Sequence, residues 1–281
     1  MEAKQESKTI RRKKEHRPLR NIRLIVAYDG TDYKGYQRQA NGRTIQACLE
    51  VALSTVCAEP ILIYGSSRTD AGVHARFQVV TFFTRGRIPV SHLTRALLGL
   101  LPPDIVVTKA EEIPLDWKPR WQIKGKEYVY TIYNHEVDDP LHRRFHWHLR
   151  KALKLEDMQK ACQLLEGRHD FTTFRGTNST PAQPIKTLYA VRVRLDEGGH
   201  QLKIHVIGDG FLYHMVRNIV GLLVDVGLGR IRYEQIPDLF ARKDRRAIGK
   251  TAPAQGLCLE EVFFTEQRLQ ERIYMLDRCD S

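Results

Sequence analysis

The chain has 281 residues, enough for one large or two medium domains that each bury a core. Hydrophobic residues make up 42% and charged residues 28%, near the globular average, which excludes a disordered chain and a membrane-embedded one. Lys and Arg number 45 against 33 Asp and Glu, a formal charge of +12; such an excess suits a polyanion, because neutralised phosphates release counterions, and it makes nucleic acid the leading partner class.

Residues 1–20 hold eight of the bases and three of the acids and read as a basic, flexible N-terminal arm. They lack the apolar stretch of a secretory signal, and no apolar run of the chain approaches the roughly 20 residues of a membrane span, so the expected location is the cytoplasm, with no membrane partner. Cys48, Cys57, Cys162, Cys258 and Cys279 are scattered without a CxxC pair, against a disulfide framework or a zinc ribbon.

After the arm, residues 21–29 alternate Ile22, Leu24, Val26 and Tyr28 on one face, the period of a strand. Thr44 is placed to cap a helix whose apolar positions Ile45, Cys48, Leu49, Ala52, Leu53 and Val56 form one stripe. Strands are expected at 61–64 and 77–83, and a helix at 90–101 that Pro102 and Pro103 stop, giving a β-α-β-β-α-β unit that closes near Lys109. The proline-containing connector 112–121 leads to a second mixed unit: a strand at 126–133, a helix at 156–165, a strand pair at 188–195 and 201–207, a long apolar helix at 211–226, a short helix at 236–241 and a final strand at 257–264. The expected organisation is therefore the arm 1–20, an N-terminal α/β domain 21–112 carrying the Asp70 loop, a C-terminal α/β domain 113–270, and a tail 271–281. Its class is α+β, two mixed halves with largely antiparallel sheets and an active-site cleft between them.

Familiar signatures are mostly absent. Gly249-Lys250-Thr251 ends like a P-loop, but Asp244 stands where its first glycine belongs. His142, His146 and His148 cluster with Arg143 and Arg144, without a Cys or carboxylate to complete a metal set, and are expected on a solvated or phosphate-facing surface. The informative segment is Gly65-Ser66-Ser67-Arg68-Thr69-Asp70-Ala71-Gly72-Val73-His74-Ala75, a polar loop between two apolar strands. Its chemistry alone leaves three readings open: Asp70 capping a turn, Arg68 pairing with it at the surface, or an active-site pair.

This segment resembles the signature G-x-x-R-T-D-x-G-V-H-A of the TruA family of tRNA pseudouridine synthases. Further boxes follow in that family's order: Tyr28-Asp29-Gly30, Gly35-Tyr36-Gln37-Arg38-Gln39, Lys126-x-Tyr128-x-Tyr130, His169-Asp170-Phe171-Thr172-x-Phe174, Phe211-Leu212-x-His214-Met215-Val216-Arg217-Asn218, and Thr251-Ala252-Pro253-Ala254-Gln255-Gly256-Leu257. Tyr36 stands where the bacterial family usually has tryptophan, and Ser66-Ser67 where alanine and glycine are more usual.

The resemblance implies an isomerase that converts uridine to pseudouridine in the anticodon stem-loop of tRNA, at positions 38, 39 and 40 of the RNA, and it implies a homodimer. Breaking the glycosidic bond and rejoining ribose to C5 needs no oxidant, metal or external group, so no cofactor is expected. By resemblance Asp70 is the nucleophile, attacking C6 of the base or C1′ of the ribose. A nucleophilic aspartate in a pocket shielded from water needs a fixed cation, and Arg217, set among Met215, Val216, Ile219 and Val220, is the residue the resemblance supplies. Tyr128 corresponds to the tyrosine that stacks on the uracil near C5; stacking suits it better than general-base work, given a tyrosine pKa of about 10. Arg68 corresponds to the arginine associated with the flipped-out nucleotide, and Leu257 to an apolar wall under the base or, equally, a strand residue of the core. A non-catalytic RNA-binding module on the same scaffold is the competing class; it would not require Asp70.

Overall fold

The computed structural model describes residues 17–177 and 183–278; residues 1–16 of the expected arm, and Cys279, lie outside the described residues. Ten strands and six helices are present among the described residues, and strand pairing is largely antiparallel, as the mixed α and β rhythm of the sequence predicts. Contacts divide the chain into two units, one of Met1–Thr69 with Ala75–Gln122 and one of Asp70–His74 with Ile123–Ser281. Among the described residues no helix is long and apolar enough to cross a membrane.

In the first unit β1 (Arg20–Tyr28) lies between β3 (His74–Thr84) and β4 (Ile105–Ile113), with β2 (Ile63–Gly65) on the other edge of β3. The alternation read from the sequence is the burial pattern found: Ile22, Leu24, Val26 and Tyr28 all face the core. α1 (Ile45–Cys57) begins where Thr44 Oγ1 accepts the Ala47 N–H at 3.4 Å, and it buries Ile45, Leu49, Ala52 and Leu53. α2 (Val90–Leu98) stops three residues before the expected end, because the Leu100 and Leu101 N–H groups turn back onto the Leu97 carbonyl.

In the second unit the strand order is β10 (Leu257–Phe263), β5 (Gly125–Asn134), β9 (Gln201–Gly208), β8 (Ile185–Leu195) and β7 (Gly167–Asp170). The short β6 (Trp147–Leu149) runs parallel to β5. Side chains alternate across β5. Tyr128, Tyr130 and Ile132 share one face with Val206, Ile204 and Leu202 of β9 and with Leu259 and Leu257 of β10. α3 (Leu155–Leu165) and α4 (Met215–Gly227) supply the apolar side chains that complete this core, with α5 (Ile236–Arg242) beside them. The long apolar stretch read as helix from Phe211 turns helical only at Met215, because His214 adopts left-handed backbone, φ 59°.

The opposite face of this sheet is covered by α6 (Glu266–Arg278), which corrects the expectation of a tail at 271–281 as far as Arg278. The helix is mostly polar, and only Leu269, Ile273 and Leu276, at i, i+4 and i+7, touch Ala190, Ile207 and Phe263. A stripe of three residues on a mostly polar helix is too sparse to stand out in the sequence. Within the histidine cluster one residue departs from the expectation, while His142 is exposed as expected. His146 is buried rather than solvated, and its Nε2 lies 2.7 Å from Asp138 Oδ1, a carboxylate outside the local run of histidines.

What fixes α6 is charge as well as packing. Glu127, 0% exposed, lies between His205 Nδ1 at 2.8 Å and both guanidinium nitrogens of Arg272 at 2.8 and 2.9 Å. Burial pushes the Glu127 carboxyl up, but hydrogen bonds from His205 and Arg272 outweigh it and hold the pKa below the ordinary carboxylate value. Removing one partner of a fully buried charge costs more than removing the pair. Arg272→Ala is therefore expected to lower stability by about 3 kcal/mol in urea unfolding, and Arg272→Leu combined with Glu127→Leu to recover a good part of that loss.

Candidate active site

The loop that carries the Asp70 segment is clamped on its first half by the first unit. Gln78, fully buried on β3, accepts from Ser66 Oγ at 2.9 Å and from the Ser67 N–H at 3.2 Å, and its own amide donates to the Ser67 carbonyl at 2.8 Å. The Ser66 hydroxyl that departs from the usual alanine is thus taken up by the buried glutamine, which holds Ser67 through its backbone alone. Thr69 Oγ1 lies 2.7 Å from Tyr28 Oη, and the Thr69 carbonyl accepts the Tyr36 N–H at 3.1 Å. A Cβ on Gly65 would stand 2.6 Å from Tyr36 Cζ, so the buried tyrosine ring excludes any side chain there. Arg68 is exposed within this half.

The second half groups with the second unit. It closes as a turn, the Val73 N–H donating to the Asp70 carbonyl at 3.2 Å, and Gly72 supplies the positive φ, +77°, that the turn requires. A Cβ on Gly72 would in addition press on Ala254 Cβ at 3.3 Å. His74 Nε2 lies 3.0 Å from the Gln255 carbonyl, which ties the end of the loop to the Thr251–Leu257 box.

Asp70 then faces the first turn of α4. Its Oδ2 stands 3.3 Å from Arg217 Nη1 and 3.5 Å from His214 Nε2, with side-chain exposures of 18% for Asp70 and 14% for Arg217. The positive end of a helix dipole favours a carboxylate at such a place. Arg217 has little freedom: its Nε donates to the Ala252 carbonyl at 2.8 Å, and its own carbonyl accepts the Ala252 N–H at 3.1 Å. Asn218 beside it is a hub. Its amide donates to the Phe174 carbonyl at 2.8 Å, and its Oδ1 accepts from Thr251 Oγ1 at 2.7 Å and Arg245 Nη2 at 3.0 Å. Three of the boxes quoted above therefore converge on two consecutive residues of α4.

His214 and Arg245 were not singled out by the sequence. His214 sits three residues before Arg217, a spacing that shares one helix face, and this was the available signal; Arg245 carries none, since only the tertiary fold brings it to Asn218. Burial pushes the His214 imidazole below its usual pKa of 6.5; Asp70 opposes this, while Arg217 and Arg245 add to it. The Tyr213 ring stacks on His214 at 3.8 Å. A left-handed histidine costs roughly 1–2 kcal/mol, and such strain is concentrated at functional sites.

Tyr128 is 7% exposed and meets Phe211 edge-on, with ring centroids 5.2 Å apart. Leu257 pairs across the ladder with Tyr130, and Leu259 with Tyr128, so Leu257 and Tyr128 are diagonal neighbours on one sheet face. Tyr130 hydrogen-bonds the Pro253 carbonyl at 2.8 Å and is close enough to Arg217 for its ionisation to respond to that charge. Asp70, Arg217 and His214 thus form one cluster, and Tyr128 and Leu257 a second on the sheet.

A family model described as tRNA pseudouridine synthase matches residues 24–122 and 161–265. A tRNA pseudouridine synthase A from Geotalea uraniireducens is 46% identical over 246 residues, covering 88% of this chain and all of the relative. One from Acetivibrio thermocellus is 41% identical with the same coverage. With relatives matched end to end at this identity, the chain belongs to the TruA family of tRNA pseudouridine synthases and is an isomerase of that family.

Proposed function

We propose that the chain isomerises uridines in the anticodon stem-loop of tRNA, at positions 38, 39 and 40, with Asp70 as the nucleophile. The observation that carries this reading is the partly buried Asp70 carboxylate set against Arg217 at 3.3 Å, on a helix whose residues are mostly apolar. Both contacts of Asp70 fall on Oδ2, and none among the described residues falls on Oδ1. The pair thus leaves one carboxylate oxygen to attack C6 or C1′ while the guanidinium sets its charge against the other.

The reaction balances without any added group. The N1–C1′ bond breaks, a C5–C1′ bond forms, and the C5 proton leaves to solvent as N1 gains one. A uridine inside a helical stem must first leave the stack, at a cost of a few kcal/mol. In this reading Arg68 meets a phosphate or fills the vacated space, Tyr128 stacks on the extruded uracil, and Leu257 forms an apolar wall. His214, neutral at pH 7, positions Asp70 without adding a second cation. The chain is proposed to work in the cytoplasm, as a homodimer.

Asp70→Asn should abolish tritium release from C5-labelled uridine in tRNA while tRNA affinity stays within about twofold, because phosphate contacts supply most of the binding. A non-catalytic RNA-binding module would show no tritium release in the wild type either. Arg217→Lys should lose most of kcat, because it keeps a charge but lacks the fork that holds Ala252 and Asp70 together.

His214 gives a pH signature. Its folded pKa lies below the unfolded value, so the stability it contributes is full above about pH 6.5 and is lost as pH falls through that value toward the folded pKa. Asp70 favours the imidazolium, so Asp70→Asn should lower the His214 pKa further in an NMR titration, and a rise would break the pairing argument. Tyr128→Phe keeps the stacking ring and should retain turnover within about tenfold; complete loss with intact folding would assign the hydroxyl to proton transfer.

A further inference from the structure

Beyond the Asp70 site, the second unit encloses a cavity of about 580 Å³, a size typical of pockets that take a small organic ligand or a nucleotide. Arg150, Lys151, Arg230 and Lys250 line it, and all four are exposed. Against them stands one carboxylate, Asp225, whose Oδ1 is already held by Arg230 Nη1 at 2.8 Å. Arg150, Lys151 and Lys250 have no carboxylate partner among the described residues. The walls are apolar, formed by Trp147, Leu149, Val224 and Leu228.

The end of a helix carries partial negative charge, which would repel an anion here, since the last two turns of α4 form one wall. That charge is muted. The carbonyls of Val224, Asp225, Val226 and Gly227 accept N–H groups from Leu228, Arg230, Gly229 and Lys154, at 2.8 to 2.9 Å. The cavity is therefore cationic without an opposing helix end.

Its place on α4 suggests the occupant. Arg217, Gly221, Val224 and Leu228 follow one another on a single helix face, so the far wall lies about 16 Å along the axis from the Asp70 pair. The segment Gly249–Ala252 runs beside them. A Cβ on Gly221 would run into the Lys250 carbonyl, and the Ala252 carbonyl holds Arg217. At about 3.4 Å per stacked nucleotide, 16 Å spans roughly five nucleotides. A naked phosphate would need fixed donors on several sides, whereas exposed cations above apolar walls suit a nucleotide with its base or ribose inward and its phosphate outward.

We propose that this cavity binds a nucleotide of the tRNA substrate other than the reacting uridine, an inference that rests on the tRNA reading above. Lys151→Ala with Lys250→Ala removes two of its cations; Lys160→Ala with Lys203→Ala removes two exposed cations of the same unit outside it. Binding of unmodified tRNA across a salt series, and kcat and KM from tritium release, are measured for both and for the wild type. The cavity variant should raise Kd and KM by about fivefold or more and make the log-affinity salt slope shallower by about two, with kcat unchanged, while the control shifts Kd by less than about twofold. Wild-type affinity and slope in the cavity variant, or equal weakening in the control, would overturn the proposal. Absence of tritium release from the wild type would sink the isomerase reading instead, and the Kd comparison would still decide the cavity.

Discussion

A charged carboxylate held partly away from water is the constraint around which the second unit is arranged. Asp70 faces the Arg217 guanidinium at 3.3 Å, and an arginine on a flexible stem would not stay there unaided. The chain removes that freedom at both ends of Arg217. Its guanidinium and its backbone carbonyl are both bonded to Ala252, and the next residue, Asn218, ties α4 to Phe174, Thr251 and Arg245. Burial pulls the Arg245 guanidinium below its ordinary pKa, so that residue stays in the network through its four hydrogen bonds to carbonyl and side-chain oxygens. The polar residues of three separate boxes are therefore the mounting of a single ion pair.

How much of this was legible in the sequence depends on whether a feature is local. The strand period of Ile22 to Tyr28, the Thr44 cap and the helix stripe of α1 are local, and they are present as read. Arg217 was legible because a lone charge among Met215, Val216, Ile219 and Val220 is costly without a partner. His214 was visible only as a letter in a box, since its significance lies in a left-handed backbone that no pattern announces. The helix α6 was not legible, because its three-residue stripe on a polar helix is joined by an anchor to Glu127, some 145 residues earlier in the chain.

The Asp70 loop is fixed differently in its two halves. From Ser66 to Thr69 it is held by hydrogen bonds to buried side chains, Gln78 and Tyr28, whose positions are set by strands. From Asp70 to His74 it is held by a tight turn and by the Gln255 carbonyl. Loops are normally the mobile, variable parts of a fold, and the nucleophile proposed here would lose much of its advantage on a disordered one. The anchors flank Asp70 on both sides, from Ser66 to His74, so the carboxylate is presented from a loop with the positional definition of a strand.

Two carboxylates of the second unit show why burial alone does not mark a catalytic group. Glu127 is fully enclosed, both of its oxygens are bonded, and its partners His205 and Arg272 hold it as an anion. Every lone pair pointed at those partners is unavailable to a substrate, and the cluster contributes by pinning α6 to the sheet. Asp70 has fewer contacts, longer ones, and both on the same oxygen. A structural ion pair gains by saturating its carboxylate; a nucleophile needs enough charge stabilisation to remain ionised and one oxygen left over. The asymmetry at Asp70, more than its exposure or its charge, is what supports the catalytic role proposed for it over a structural one.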